Sequence, residues 1–337
     1  MVLTPSFVLF AMMLVFGTAV VFMSSSIVGV WLGLELNFLG VIPLMIGKSV
    51  LEGEGVMKYF LVQAVGASLL IMGGGLSIGG VWDNSSLAVL VFTVFAVLLK
   101  IGIFPFCFWV PSVLGLISWF NCFIVMVWQK LGLIWFLSGL SFNTNSLKLL
   151  EILVVMTSFV GGLGGLGVYH YRVLAAYSSL VHVGWMIMIG VVSSLAFIMY
   201  WSLYFFIMGG FVLWFYYYGI NSFSDFIYLK GSFIEKLSGG VYFFSLAGLP
   251  PFSGVFLKIM GIIILLNSFP FVLFFLMVCS ALSLFYYSKV FAVLSLSNFM
   301  HLGLWKETNF KNLSVILFSF ILNCFLGVGI LALFSFF

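Results

Sequence analysis

The sequence predicts an all-α polytopic membrane protein of about eleven transmembrane helices, and three observations carry that prediction. The 337 residues are 64% hydrophobic and 6% charged, with mean hydropathy +1.34; soluble chains of this size carry about 25% charged residues, and no soluble fold hides so much apolar surface. The apolar residues come in repeated runs of about 20, the length a helix needs to cross a bilayer. The basic residues between these runs fall almost entirely on alternate loops. Alternating strand patterns between polar turns are absent, which argues against a barrel.

The runs lie near 4–24, 27–46, 57–79, 86–104, 115–139, 147–168, 173–193, 195–219, 238–266, 271–293 and 312–335, all within one transmembrane domain spanning 1–337. With these limits Lys48, Lys58, Arg172, Lys230, Lys236, Lys289, Lys306 and Lys311 share the side of the N-terminus, and Lys148 stands on the other. Such a bias marks the cytoplasm-equivalent side, and one misplaced span would scramble it. No basic leader or arginine-rich presequence precedes the first run, so the expectation is a permanent first span in a protein made beside its membrane.

Several function classes drop out. The basic residues are scattered, which excludes a nucleic-acid surface. Cys107, Cys122, Cys279 and Cys324 lack metal or redox spacing and read as small buried hydrophobes. The glycine clusters MGGGLSIGG (72–80) and GGLGGLG (161–167) lie inside spans, where close helix packing explains them better than a phosphate loop.

Four charges fall neither in loops nor near span ends: Glu35, Lys100, Lys130 and Lys258. Each costs about 2.5–3.5 kcal/mol on insertion scales, and intramembrane ionisable groups mark function by default. Glu35 with Lys100 is the candidate acid–base pair, whose contact the sequence alone does not show, and Gln129 stands beside Lys130. Snorkelling of Lys100 to an interface, and four satisfied structural charges, are the bland alternatives. Two of the lysines accompany prolines. Pro250 and Pro251 precede Lys258 in the ninth span, and Lys100 precedes Pro105 and Pro111 in the fourth. Proline removes an N–H and breaks a helix, freeing the carbonyls of Leu246 and Ala247 in the ninth span. Broken helices are tolerated in membranes where they face protein or a water-filled cavity, as at ion sites of transporters.

Six stretches in order, WLGLELNFLGVIPLM (31–45), EGVMKYFLVQA (54–64), LLKIGIFPFCFWVP (98–111), VWQKLG (127–132), AAYSSLVHVGWM (175–186) and SLAGLPPFSGVFLK (245–258), give the chain a resemblance that covers nearly its whole length. It resembles the antiporter-like membrane subunits of respiratory complex I, mitochondrial NADH–ubiquinone oxidoreductase, and within them the subunit 2 family. The resemblance implies an antiporter-like fold and a core membrane-arm subunit that couples quinone reduction in other subunits to proton translocation. It implies Glu35 and Lys100 as a pair, Lys130 on a central hydrophilic axis and Lys258 toward the exit. His182 matches a family histidine, with a proton relay and a helix-packing hydrogen bond both open.

The resemblance further implies that this chain binds no cofactor or metal, while NADH, FMN, iron–sulfur clusters and ubiquinone are used by other subunits. Expected partners are the other core membrane-arm subunits, supernumerary subunits and lipids such as cardiolipin, and no nucleic acid. The expected location is the mitochondrial inner membrane, with the N-terminus on the matrix side and the C-terminus on the intermembrane-space side; the short form points to an animal mitochondrion. Cys107 and Ser112 stand in the segment where vertebrate relatives commonly carry a histidine and a glutamate, and neither is assigned a relay role. The alternatives are an independent sodium/proton antiporter and a structural membrane spacer.

Overall fold

The computed structural model describes residues 5–47, 49–78, 87–140, 142–227, 233–250 and 252–300, with Ser319 and Asn323. Nearly all of them are helical, and by backbone contacts the chain divides into two compact units, 1–157 and 158–337. Among the described residues nine helical stretches are long and apolar enough to cross a bilayer, and Gly254–Ser268 is a shorter apolar helix. The expected eleventh span, 312–335, lies outside the described residues apart from Ser319 and Asn323, as do Lys48, Lys230, Lys306, Lys311 and Cys324.

The first unit opens with α1 (Pro5–Met23) and α2 (Ile27–Met45). They are joined at Ser26, whose side chain accepts the Gly29 N–H at 3.2 Å and caps the second helix. These two helices cross almost backbone to backbone. A Cβ on Gly17 would stand 2.8 Å from the Gly33 carbonyl oxygen, one on Gly33 2.8 Å from the Gly17 oxygen, and one on Gly40 2.9 Å from the Phe10 oxygen. Small residues at the crossing supply the close packing that replaces a hydrophobic driving force in lipid, and they set the height of Glu35 and Asn37 on α2.

Next come α3 (Val50–Ile78) and α4 (Leu87–Ile101), packed along each other. The chain then breaks into a 3-10 turn (Phe106–Phe108) and the short α5 (Trp109–Leu114). The fifth expected span is one rod built from three pieces, α6 (Trp119–Phe123), a π-helical turn (Ile124–Trp128) and α7 (Gln129–Ser138). α8 (Thr144–Gly164) crosses the boundary between the units.

The second unit continues with α9 (Tyr171–Val192), which is buried along most of its length, and α10 (Ser194–Tyr218), closed by Gly219 in the left-handed region at φ 66°. A short α11 (Phe223–Ile227) follows. The ninth expected span is two helices, α12 (Phe233–Ala247) and α13 (Gly254–Ser268), and the long α14 (Pro270–Met300) comes last. The glycines of 161–167 pack tightly: Cβ atoms on Gly161 and Gly165 would stand 2.7 Å from the Tyr177 carbonyl oxygen and 2.6 Å from the Tyr286 ring.

At the α1–α2 crossing, Gly33→Leu forces the backbones apart, and overpacking of this kind costs about 1–3 kcal/mol. Gly53, with no atom within 4 Å of the Cβ position, is the control; Gly53→Ala gains about 0.5–1 kcal/mol of helix propensity. Thermal unfolding in lipid nanodiscs is expected to show a lowered midpoint for the first and an equal or raised one for the second.

Candidate functional site

Both interrupted helices stop on a glycine, and that choice builds the sites. α4 ends where Gly102 adopts φ 83°, and the N–H groups of Gly102 and Ile103 both turn back to the Leu98 carbonyl, at 3.0 and 2.9 Å. α12 ends where Gly248 adopts φ 70°, with Leu249 N–H on the Phe244 carbonyl at 3.1 Å and Gly248 N–H on that of Ser245 at 3.0 Å. These are Schellman-type caps, in which only glycine enters the left-handed region without strain. Pro105 and Pro250 follow a few residues later, where they bar the helix from resuming. A helix end leaves its last carbonyls without intrahelical partners, and in a membrane these must find other donors.

At the first interruption those donors are side chains. Trp109 Nε1 donates to the Leu99 carbonyl at 3.1 Å, and Gln63 Nε2, from α3, donates to the Lys100 carbonyl at 3.1 Å. Lys100 sits in the last turn of α4 and is 4% exposed. Its stem lies against Gly66, one turn beyond Gln63; a Cβ there would stand 2.5 Å from Lys100 Cγ. Gln63 and Gly66 together form a cradle, one holding the lysine's backbone and the other leaving room for its side chain. The stem is thus packed against α3, not laid along the surface as snorkelling would have it.

Lys130, also 4% exposed, lies in the first turn of α7, directly after the π-helical turn. Single π turns inside helices are rare and frequently occur at functional sites. The adjacent Gln129 donates through Nε2 to Asn37 Oδ1 at 3.0 Å, tying α7 to α2. Gln63, Lys100, Trp109, Gln129 and Lys130 are among the residues lining one small cavity of about 10 Å³, measured as the room open to the centre of a water-sized sphere. That is about what one water molecule requires.

Glu35 is on α2, near enough to Lys100 for its charge to be felt there. Among the described residues the two are not joined by a direct ion pair, and Glu35 Oε2 is buried with no hydrogen-bond partner. The first unit therefore gathers Glu35, Lys100 and Lys130. Cys107 is buried in the same unit, and the Ser112 hydroxyl donates to the Trp109 carbonyl at 2.9 Å.

The second unit holds His182 and Lys258. Lys258, half-buried in the second turn of α13, reaches back across the break, and its Nζ donates to the Ala247 carbonyl, the last residue of α12. The side chain runs over Gly248, where a Cβ would stand 2.6 Å from Lys258 Cε. Ser253, fully buried at the start of α13, donates its N–H to the Asn323 carbonyl at 2.8 Å. Among the described residues Ser253 Oγ and Asn323 Oδ1 are both buried without hydrogen-bond partners, which marks the break as polar. Gly261 packs on the Trp185 ring, and Lys258 and His182 each precede these residues by three positions. His182 is buried on α9, with Nδ1 2.9 Å from the Tyr200 hydroxyl.

Residues unnoticed in the sequence supply much of this geometry. Gln63 and Asn37 are amides inside apolar runs, a signal that was visible. Gly66, the π turn, Ser253 and Tyr200 carry no such mark, because their importance depends on which helix faces meet. Among the described residues no three metal-binding side chains converge.

The profile of a transmembrane family described as NADH:quinone oxidoreductase/Mrp antiporter matches residues 24–284. Chain 2 of NADH-ubiquinone oxidoreductase from Myxine glutinosa is 32% identical over 314 residues, covering 88% of this chain and 89% of that one. Its counterpart from Anopheles gambiae is 32% identical over 336 residues, covering 97% and 96%. The fold is similar to a chain in the structure of respiratory complex I from Thermus thermophilus, with TM-score 0.79, 21% identity and coverage of 96% of this chain and 78% of that one. It is also similar to a chain of the Mrp complex from Dietzia, with TM-score 0.72, 18% identity and coverage of 84% and 59%. With glycine-capped helix breaks, buried lysines and a family match over most of its length, this chain belongs to the NADH:quinone oxidoreductase/Mrp antiporter transmembrane family.

Proposed function

We propose that this chain is a core membrane-arm subunit of respiratory complex I and moves protons through Glu35, Lys100, Lys130 and Lys258, driven by NADH oxidation and quinone reduction in other subunits. The observation that carries the reading is the cavity shared by Lys100 and Lys130, sized for one water, with Glu35 acting on Lys100 from α2. The relatives named as NADH-ubiquinone oxidoreductase chain 2 support the assignment to the complex.

The chemistry follows from desolvation. In a low-dielectric interior an ammonium is favoured beside a carboxylate and disfavoured when that carboxylate withdraws. A shift of α2 relative to α4 therefore changes whether Lys100 keeps its proton, and a water between Lys100 and Lys130 offers the route by which it passes on. The work is of the right size: one charge moved against 100 mV requires about 2.3 kcal/mol, the equivalent of one to two pKa units. At the second break, Lys258 is held on the Ala247 carbonyl while it carries three N–H donors. A neutral amine donates more weakly, so loss of its proton favours release from α12.

In this reading the chain binds no flavin, cluster or nucleotide itself. It lies in the mitochondrial inner membrane with its N-terminus on the matrix side, among other core subunits, supernumerary subunits and lipids such as cardiolipin. An independent sodium/proton antiporter is the competing reading, favoured by the similarity to an Mrp complex chain. The chain alone, reconstituted in liposomes, then exchanges sodium for protons; the complex I reading predicts that it does not.

Lys130→Met in the assembled enzyme is expected to slow proton pumping by at least about tenfold, within the range a positioned proton-transfer group contributes, as measured by acidification in proteoliposomes. Pumping at the wild-type rate contradicts the proposal. Lys258→Arg separates relay from scaffold, because arginine keeps the charge and the carbonyl contact but does not release its proton. The relay predicts lost pumping with the thermal midpoint retained, whereas a structural cap predicts that both survive. Gln63→Leu leaves the Lys100 carbonyl without its donor and is expected to destabilise the protein by about 1–3 kcal/mol in thermal unfolding.

A further inference from the structure

The second unit contains a buried hydroxyl cluster that the lysines do not use. Tyr200 and Tyr204 on α10, which stand against His182 of α9, and Tyr286 and Tyr287 on α14 are all buried. The His182 ring has Tyr200 on Nδ1 at 2.9 Å and the Tyr204 ring at 4.9 Å. Tyr204 is close enough to Tyr287 to interact with it electrostatically, and the rings of Tyr287 and Tyr286 lie 4.7 Å apart. Tyr286 in turn rests on Gly165, in the turn between α8 and α9. The cluster therefore runs from His182, about 16 Å into α9 at 1.5 Å per residue, back to that helix's beginning.

Packing alone does not explain it. Among the described residues the hydroxyl oxygens of Tyr204, Tyr286 and Tyr287 are buried with no hydrogen-bond partner at normal geometry. Ser178 and Tyr286 are polar neighbours of the Tyr287 hydroxyl, and Ser283 and Tyr287 of the Tyr286 hydroxyl, each outside ordinary hydrogen-bond geometry. The two serine hydroxyls donate to the carbonyls of Ala175 at 2.9 Å and Ser280 at 2.7 Å, which leaves their oxygens as acceptors. Phenylalanine would fill these positions without orphaned groups. Buried polar atoms in proteins are almost always satisfied, and water is the usual partner where protein supplies none. Three orphans side by side at the core of a bundle mark a place for water.

We infer that Tyr204, Tyr286 and Tyr287 hold ordered water molecules that connect His182 to the end of the bundle where α8 meets α9, forming a proton inlet built wholly within the second unit. Each hydroxyl or water takes a proton on a lone pair as it releases its own, so every group ends neutral and unchanged. His182, carrying two ring nitrogens, is the one member of the row able to hold the arriving proton near neutral pH. The inference rests on the proton-translocating reading above and adds to it a route and its direction of access.

The test is the double variant Tyr204→Phe/Tyr287→Phe in the assembled enzyme, measured in proteoliposomes beside Lys130→Met, with the single variant Tyr286→Phe as an independent interruption. The inlet predicts pumping slowed by about tenfold in the double variant, a larger solvent deuterium isotope effect on pumping, and an unchanged or raised thermal midpoint because no hydrogen bond of ordinary geometry among the described residues is lost. If the double variant assembles poorly, Tyr286→Phe carries the same prediction. Wild-type pumping and isotope effect in the tyrosine variants, with Lys130→Met inactive, overturn the inlet alone. Wild-type pumping in all of them overturns the proton-translocating reading on which it stands.

Discussion

A backbone carbonyl inside a membrane has to meet a donor, and the architecture around the candidate site follows from how this chain meets that demand where it interrupts its own helices. At Gly102 and Gly248 the helix ends close on themselves through left-handed glycines. The carbonyls beyond the reach of that closure are then taken by Trp109 and Gln63 at one break and by Lys258 at the other. A neutral donor would satisfy the rule equally well. That a lysine does so at the second break makes the satisfaction of the backbone depend on a protonation state, which couples a proton to the geometry of two helices.

Space is allotted with the same economy. Gly66 and Gly248 leave room for the stems of Lys100 and Lys258, at Cβ distances of 2.5 and 2.6 Å that no larger residue tolerates without displacing the lysine. Gly17 and Gly33 do the same for whole backbones, fixing where α2 presents Glu35. Close contact of this kind transmits small shifts, since a packed interface moves between discrete arrangements and does not deform smoothly. The Glu35, Ser253 and Asn323 oxygens left without partners among the described residues are the polar atoms that water or a shifted helix would satisfy.

The membrane class, the helical fold and the four intramembrane charges were legible because a charge in an apolar run stands out against its neighbours at every position. The sequence marked these two regions with prolines, whereas α4 and α12 end on Gly102 and Gly248, and Pro251 lies outside the described residues. What the sequence concealed depends on facing surfaces. Gln63 reads as one more amide and Gly66 as one more small residue until α3 is laid against α4. The π turn before Lys130 has no signature in IVMVW. Tyr204, Tyr286 and Tyr287 look like aromatic packing until their hydroxyls are found without partners of ordinary geometry among the described residues. The distribution of the expected spans over two compact units likewise depends on tertiary contacts that hydropathy does not encode.

The central claim is that Lys100, Lys130 and Lys258 carry protons because water and helix breaks give them alternative partners. Its most direct test is the structure of the assembled enzyme at a resolution that shows ordered water, determined both at rest and during turnover. The account predicts a water in the cavity between Lys100 and Lys130, and a Lys258 Nζ that leaves the Ala247 carbonyl in one state and holds it in the other. A dry cavity and an unchanged Lys258 contact in both states would contradict it.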